Sequence, residues 1–188
     1  MTPSERPLGQ ELKAALLIPV VLLAIAWLQE GIDQILFRGQ WNLPMLPGGS
    51  ALGILTAPFS HGGWGHLLAN STMFLPLSWL VCFKSKRDYV AVWFGVLITT
   101  IPVWLWWRNG SHGLSGVIYG LLGYLLLIGW LERRPLSMLL SVSTLVLYGG
   151  VLPSLLPLFT PAGVSWIGHA GGFTGGLLAA AAVSRSRP

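Results

Sequence analysis

The chain predicts an all-α membrane protein: a bundle of six transmembrane helices with both termini on the cytoplasmic side. Three observations carry that prediction. Of 188 residues, 53% are hydrophobic and only 9% are charged, a balance foreign to soluble domains. Six segments, approximately 12–28, 64–83, 89–107, 114–131, 136–152 and 166–184, are apolar enough to cross a hydrocarbon layer, which takes roughly 20 helical residues. The positive charges also fall unevenly between them. Arg6, Lys13, Lys84, Lys86, Arg87, Arg133, Arg134, Arg185 and Arg187 share one side of a six-span arrangement, and only Arg38 and Arg108 lie on the other. Lys and Arg in short loops stay cytoplasmic during insertion, so both termini are read as cytoplasmic.

The first segment is expected to remain as a permanent helix. No small-residue cleavage site follows it, and Trp27-Leu28-Gln29-Glu30 leads into a long loop over residues 29–63 that holds Phe37, Trp41 and Phe59. The second segment opens on His66 and Asn70, the fourth on Ser115, and the sixth on His169. The fifth follows Pro135 and runs into Gly149-Gly150, a sequence that weakens a helix near its end. Residues Pro153–Ser165, with Pro153, Pro157, Pro161 and Gly163, read as an irregular connector, either a lid that moves to admit substrate or a purely structural link.

Composition excludes several classes of function. The pI near 9.9 follows from basic clusters of two or three at helix ends, so it marks topology and not a nucleic-acid surface. Cys82 is the only cysteine, which rules out an intrachain disulfide and a cysteine-rich zinc site. No His-Glu-x-x-His segment is present, and no cofactor or metal is expected. Glu30 and Asp33 are read as residues of the first loop, which leaves the span cores without carboxylates and speaks against an ion or proton transporter.

Spans two, four and six all run inward from the outer face, so their first turns share one depth, and the polar residues cluster there. Singly, such residues serve as interhelical hydrogen-bonding groups worth about 0.6–2 kcal/mol. Converging from three helices, they describe a hydrated site inside the bundle. Ser115 is a nucleophile once an imidazole accepts its proton, and His169 is the natural partner. The oxyanion of a tetrahedral intermediate needs hydrogen-bond donors, which His66, Asn70 and the Ser115 backbone N–H can supply at a helix N-terminus. No carboxylate is placed to complete a triad, so a Ser-His dyad is the economical assignment. Tyr119, one turn below Ser115 on the same face, is placed to pack on the imidazole. Gly116 and Gly120, and likewise Gly168, Gly172 and Gly176, recur at four-residue spacing, which lets helix backbones approach closely.

Three motifs, in chain order, carry a family resemblance. They are His61-Gly62-Gly63-Trp64-Gly65-His66-Leu67-Leu68-Ala69-Asn70, Gly113-Leu114-Ser115-Gly116-Val117-Ile118-Tyr119-Gly120, and Gly168-His169-Ala170-Gly171-Gly172. With them the chain resembles the rhomboid intramembrane serine proteases in their minimal bacterial six-helix form, as a single membrane domain over residues 1–188. The resemblance implies hydrolysis of peptide bonds in or near substrate transmembrane segments, with Ser115 as nucleophile and His169 as base. It also implies an oxyanion hole of His66, Asn70 and the Ser115 N–H, with Tyr119 stacked on His169. His61, Gly113 and Gly116 are supporting residues of these motifs. The first loop lacks the adjacent Trp-Arg pair of the family, and has only Arg38 and Trp41. His112 matches no motif and is read as a polar residue of the loop before the nucleophile. The implied partners are transmembrane-segment substrates and the lipid bilayer, with no nucleic acid and no obligate oligomer, and the implied location is a bacterial inner membrane. A silent relative that only binds transmembrane helices is the alternative.

Overall fold

The computed structural model describes residues 8–186. Arg6 and Arg187, counted above among the basic residues of one side, lie outside the described residues. Seven α-helices are present among the described residues: α1 Leu8–Leu36, α2 Leu52–Thr56, α3 Trp64–Lys84, α4 Lys86–Trp106, α5 Ser115–Glu132, α6 Pro135–Tyr148 and α7 Trp166–Arg185. The extended pairing there is a single antiparallel bridge, Met45 with Ser111. α6 continues as a 3-10 segment over Gly149–Leu155, so the glycine pair tightens the helix without ending it.

Five of these elements are long and apolar enough to span a membrane: α1, α3, α4, α5 and the Pro135–Leu155 stretch. α7 is 20 residues long but replaces large apolar side chains with Gly and Ala. Its place in the bundle explains this. The backbones of α5 and α7 touch along their length: a Cβ on Gly172 would collide with the Gly116 carbonyl, and one on Gly176 with the Gly120 carbonyl. On its other side α7 meets α4, where a Cβ on Gly175 would lie 2.6 Å from the Gly95 carbonyl carbon. Pairings that rise together, 116 with 172 and 120 with 176, make α5 and α7 parallel. α5 is the central column, and its Val117, Ile118, Leu121, Leu122, Leu125 and Ile128 are all buried.

Two expectations are corrected. α1 does not stop near residue 28; it continues two turns to Leu36, so Glu30 and Asp33 belong to a helix and not to the first loop, and both are fully buried. One oxygen of each finds a donor, for Asp33 in the loop that folds back over it and for Glu30 one turn on in the same helix. Asp33 Oδ1 accepts the Trp41 N–H at 2.5 Å, Glu30 Oε1 accepts from Gln34 Nε2 at 2.9 Å, and the Trp41 carbonyl accepts from Gln29 Nε2 at 3.0 Å. Buried carboxylates persist only with such partners. Arg38 and Gly39, at φ 56° and 78°, turn the chain out of α1. The helices are thus not free of acidic residues, for α4 also begins earlier than expected and buries Asp88 in its first turn.

That end of the bundle is held by charge pairing. Lys84 Nζ lies 2.9 Å from Glu132 Oε1 and 3.4 Å from Asp88 Oδ2, with all three side chains nearly buried. Asp88 also accepts from the Tyr124 hydroxyl, Glu132 from Ser137, and Glu11 pairs with Lys86. The Ser85 side chain caps α4 by accepting the Asp88 N–H at 3.2 Å.

The α5–α7 contact is the most exposed to test. Gly176→Ala places a methyl against backbone that has no rotamer to yield, and overpacking of this kind costs about 1–3 kcal/mol or more. It is expected to lower the melting temperature in detergent by several degrees. Gly9→Ala, where a Cβ meets nothing within 4 Å, should leave it unchanged. Equal melting of the two variants would show that the helices separate at no cost.

Candidate active site

Residues 111–114, just before the α5 N-terminus, are fastened by the first loop. Ser111 and Met45 exchange backbone hydrogen bonds at 2.9 and 3.1 Å, and the Gly113 N–H donates to the Ala57 carbonyl at 2.8 Å. The Leu114 N–H donates to His61 Nε2 at 3.3 Å. His61 can accept only as a neutral imidazole. Its burial, together with the neighbouring His66 and His112 and against a smaller opposing effect of the Phe59 carbonyl, pushes its pKa down to about 3. The turn that carries His61 rests in turn on α1, where the Glu30 carboxylate faces the backbone N–H groups of Gly63 and His61.

His66 and Asn70 lie one turn apart on α3. The Gly62 N–H donates to His66 Nδ1 at 3.4 Å, which leaves the ring proton of the neutral imidazole on Nε2. That N–H and the Asn70 amide converge beside Gly113. A Cβ built on Gly113 would sit 3.0 Å from His66 Cε1, 3.2 Å from His66 Nε2 and 3.5 Å from Asn70 Nδ2. The positive φ of Gly113, 105°, further bars other residues. Asn70 is buried, and its Nδ2 has no acceptor among the described residues. Two donors therefore point at one small space next to Ser115, an arrangement suited to a developing negative charge.

Ser115 opens α5 and His169 lies in the first turn of α7, and the residues beside them, Gly116 and Gly168, face each other with a Cβ-to-carbonyl distance of 3.6 Å. Tyr119 stacks on the His169 ring, with centroids 4.2 Å apart and planes inclined 19°. Ser165 caps α7, its hydroxyl accepting the Gly168 N–H at 3.2 Å. His169 Nδ1 is 3.2 Å from the Ser154 carbonyl. A carbonyl only accepts, so Nδ1 carries the proton and Nε2 keeps its lone pair.

Ser115 is half-buried and opens onto a cavity of about 310 Å³, lined also by His66, Ser111, His112, Gly163 and Ser165. The connector before α7 thus forms one wall. His112 belongs to the loop before Ser115 and also faces this cavity, its ring 6.1 Å from that of His66. Burial first, and His66 second, lower its pKa. Among the described residues no three His, Cys, Asp or Glu side chains come together as metal ligands. Sequence reading missed Ser154, Gly62 and Glu30. The first two act through backbone atoms, which no motif records, and Glu30 was misplaced with the end of α1.

Comparison with known proteins accords with this geometry. The model of the rhomboid domain matches residues 48–186. An uncharacterized protein of Mycobacterium bovis is 31% identical over 140 residues, covering 68% of this chain and 57% of its own length, and an uncharacterized protein of Mycobacterium tuberculosis matches equally. One of Mycobacterium leprae is 33% identical over 176 residues, covering 86% of this chain and 68% of its own length. The chain thus spans little more than half the length of the first two relatives. With a family match over most of its length and five helices able to span a membrane, the chain belongs to the rhomboid family and is a multi-pass integral membrane protein.

Proposed function

We propose that the protein is an intramembrane serine endopeptidase, cleaving peptide bonds in or near the transmembrane segments of other membrane proteins in a bacterial inner membrane. The observation that carries this reading is the pair of opposed imidazoles: His169 is held as an acceptor and His66 as a donor, each by one backbone group. That division of labour is what acyl transfer by a serine requires, and binding a helix without cleaving it requires neither.

The steps follow from the geometry. Ser115 Oγ attacks the scissile carbonyl as His169 Nε2 takes its proton. The oxyanion moves into the space beside Gly113, where His66 Nε2–H, Asn70 Nδ2–H and the Ser115 N–H, free at the first turn of α5, donate to it. The intermediate collapses, His169 returns its proton to the leaving amine, and water admitted through the outer cavity repeats the sequence on the acyl-enzyme. A substrate helix must unwind locally to present its carbonyl, so helix-breaking or small residues are expected near the cleaved bond. The α5–α7 glycines are used within one chain, which supports a monomer as the active unit.

Labelling of the detergent-solubilised protein by a serine-directed fluorophosphonate tests the reading. Wild type should be labelled, and Ser115→Ala and His169→Ala should not, with all three equally folded. Absence of labelling in folded wild type would favour the silent helix-binding relative.

The oxyanion donors make a second prediction. Asn70→Ala should lower turnover of a transmembrane substrate by about 10²–10³ while leaving activity above background, the usual cost of one such donor. Gly113→Ala should abolish turnover, since its methyl fills the space that the donors face. Undiminished cleavage by Gly113→Ala would move the oxyanion elsewhere.

The third concerns pH. Below about 6.5 the unfolded chain protonates His61, whereas the folded chain resists until about 3. The unfolded state then binds more protons, so the stability that His61 contributes is complete above 6.5 and is lost progressively as pH falls towards 3. Melting curves at pH 7.5 and 5 should converge in His61→Gln relative to wild type. An identical pH dependence in both would exclude His61 as the source.

A further inference from the structure

Among the described residues no carboxylate stands behind His169, yet its imidazole is not left unsupported. We propose that Ser154 is the positioning residue of His169, its peptide carbonyl holding the imidazole in the Nδ1–H form and its side chain fixing that carbonyl in place. The inference rests on the protease reading for its catalytic meaning and on geometry for its structural one.

Four contacts meet at this residue. The Ser154 carbonyl accepts from His169 Nδ1 at 3.2 Å and faces the Thr160 hydroxyl at 3.0 Å, which shares its one proton with the Leu156 carbonyl at 2.9 Å. The Ser154 hydroxyl donates to the Val151 carbonyl at 2.8 Å and pairs with the Tyr119 hydroxyl. The Tyr119 hydroxyl also lies 2.9 Å from the Val151 carbonyl, but with that carbonyl taking the Ser154 proton its own single proton goes to the Ser154 hydroxyl oxygen. The same Tyr119 ring lies against His169. One tyrosine therefore acts on the base twice: its face restrains the imidazole, and its hydroxyl anchors the residue that holds the other edge of that imidazole.

The chemistry explains why the carbonyl suffices. The orienting member of a catalytic triad selects the tautomer that leaves Nε2 free and favours the imidazolium that forms as the serine is deprotonated. A peptide carbonyl performs the first task fully and the second through its dipole, without burying a charge in a bundle where an ionised carboxylate would be costly. Loss of the anchor should leave His169 in place, stacked between helices, but free to exchange its ring proton between Nδ1 and Nε2. A ring protonated on Nε2 cannot accept from Ser115.

The test uses variants that keep the fold: Tyr119→Phe, which retains the stacked ring and removes only the hydroxyl, Ser154→Ala, and Ser154→Thr as the conservative replacement. Two quantities are read on the full chain in detergent, the rate of fluorophosphonate labelling and the imidazole nitrogen-15 signals of His169, assigned by their absence from His169→Ala. Wild type should show a single Nδ1–H tautomer. Tyr119→Phe and Ser154→Ala should show mixed tautomers and label about tenfold more slowly, a part of the 10²–10⁴ that a positioned base supplies, while Ser154→Thr recovers both properties. A purely structural role would lower the melting temperature of these variants and move neither quantity, and that result overturns the proposal. If wild type is not labelled at all, the protease reading fails separately, and the nitrogen signals decide the positioning role alone: a wild-type Nδ1–H tautomer that becomes mixed in the variants upholds it, and unchanged signals overturn it. Should Tyr119→Phe and Ser154→Ala fail to fold, Thr160→Val, which removes the second donor from the same carbonyl, gives the same two readings with the same meanings.

Discussion

Everything at the outer end of this bundle depends on how closely the backbones of α5 and α7 approach. Gly116 against Gly172, and Gly120 against Gly176, leave no room for a single methyl between the helices. In a bilayer, where lipid is as apolar as leucine, helices gain little from burying large side chains, and close backbone packing is the alternative source of attraction. The consequence is chemical as well as structural. Ser115 and His169 flank the glycines at one end of this contact, so the interface that stabilises the bundle also brings a serine and a histidine to one depth.

Four histidines gather there, and three of them are told apart by a single backbone partner each. The Leu114 N–H makes His61 an acceptor at Nε2, the Gly62 N–H leaves His66 a donor at Nε2, and the Ser154 carbonyl leaves His169 an acceptor at Nε2. Identical side chains thus receive different proton arrangements from peptide groups alone. Neutral imidazoles suit this environment, since each charge carried into the bundle would need its own partner. Where carboxylates are buried, they lie under the first loop or at the opposite end, paired with Lys84 or with backbone and amide donors.

The first loop therefore belongs to the site, which it touches directly at Gly62 and otherwise supports from behind. Through Asp33 and Gln29 it is bound to α1, and through Met45, Ala57 and His61 it is bound to the four residues ahead of Ser115. A rigid support behind the nucleophile allows its N-terminal amides and Gly113 to keep their geometry while the connector before α7 forms the opposite cavity wall.

Much of this was legible in the residues. Hydrophobic length pointed to five of the expected spans, because crossing a bilayer is a local property of composition, and the spacing of His66, Asn70, Ser115 and His169 pointed to a candidate site, because each motif lies within one helix turn or two. The end of α1 was not legible: Glu30 and Asp33 look like loop residues until the folded loop supplies their hydrogen bonds. Nor was the orientation of the imidazoles, since the groups that decide it are the peptide N–H of Gly62 and Leu114 and the peptide carbonyl of Ser154, atoms that every residue type shares. Side-chain identity is written in the sequence and determined the membrane class and the family, and it named the candidate site residues. Which backbone atom meets which ring nitrogen is set by the packing of α3, α5, α6 and α7 together, and only the tertiary structure decided it.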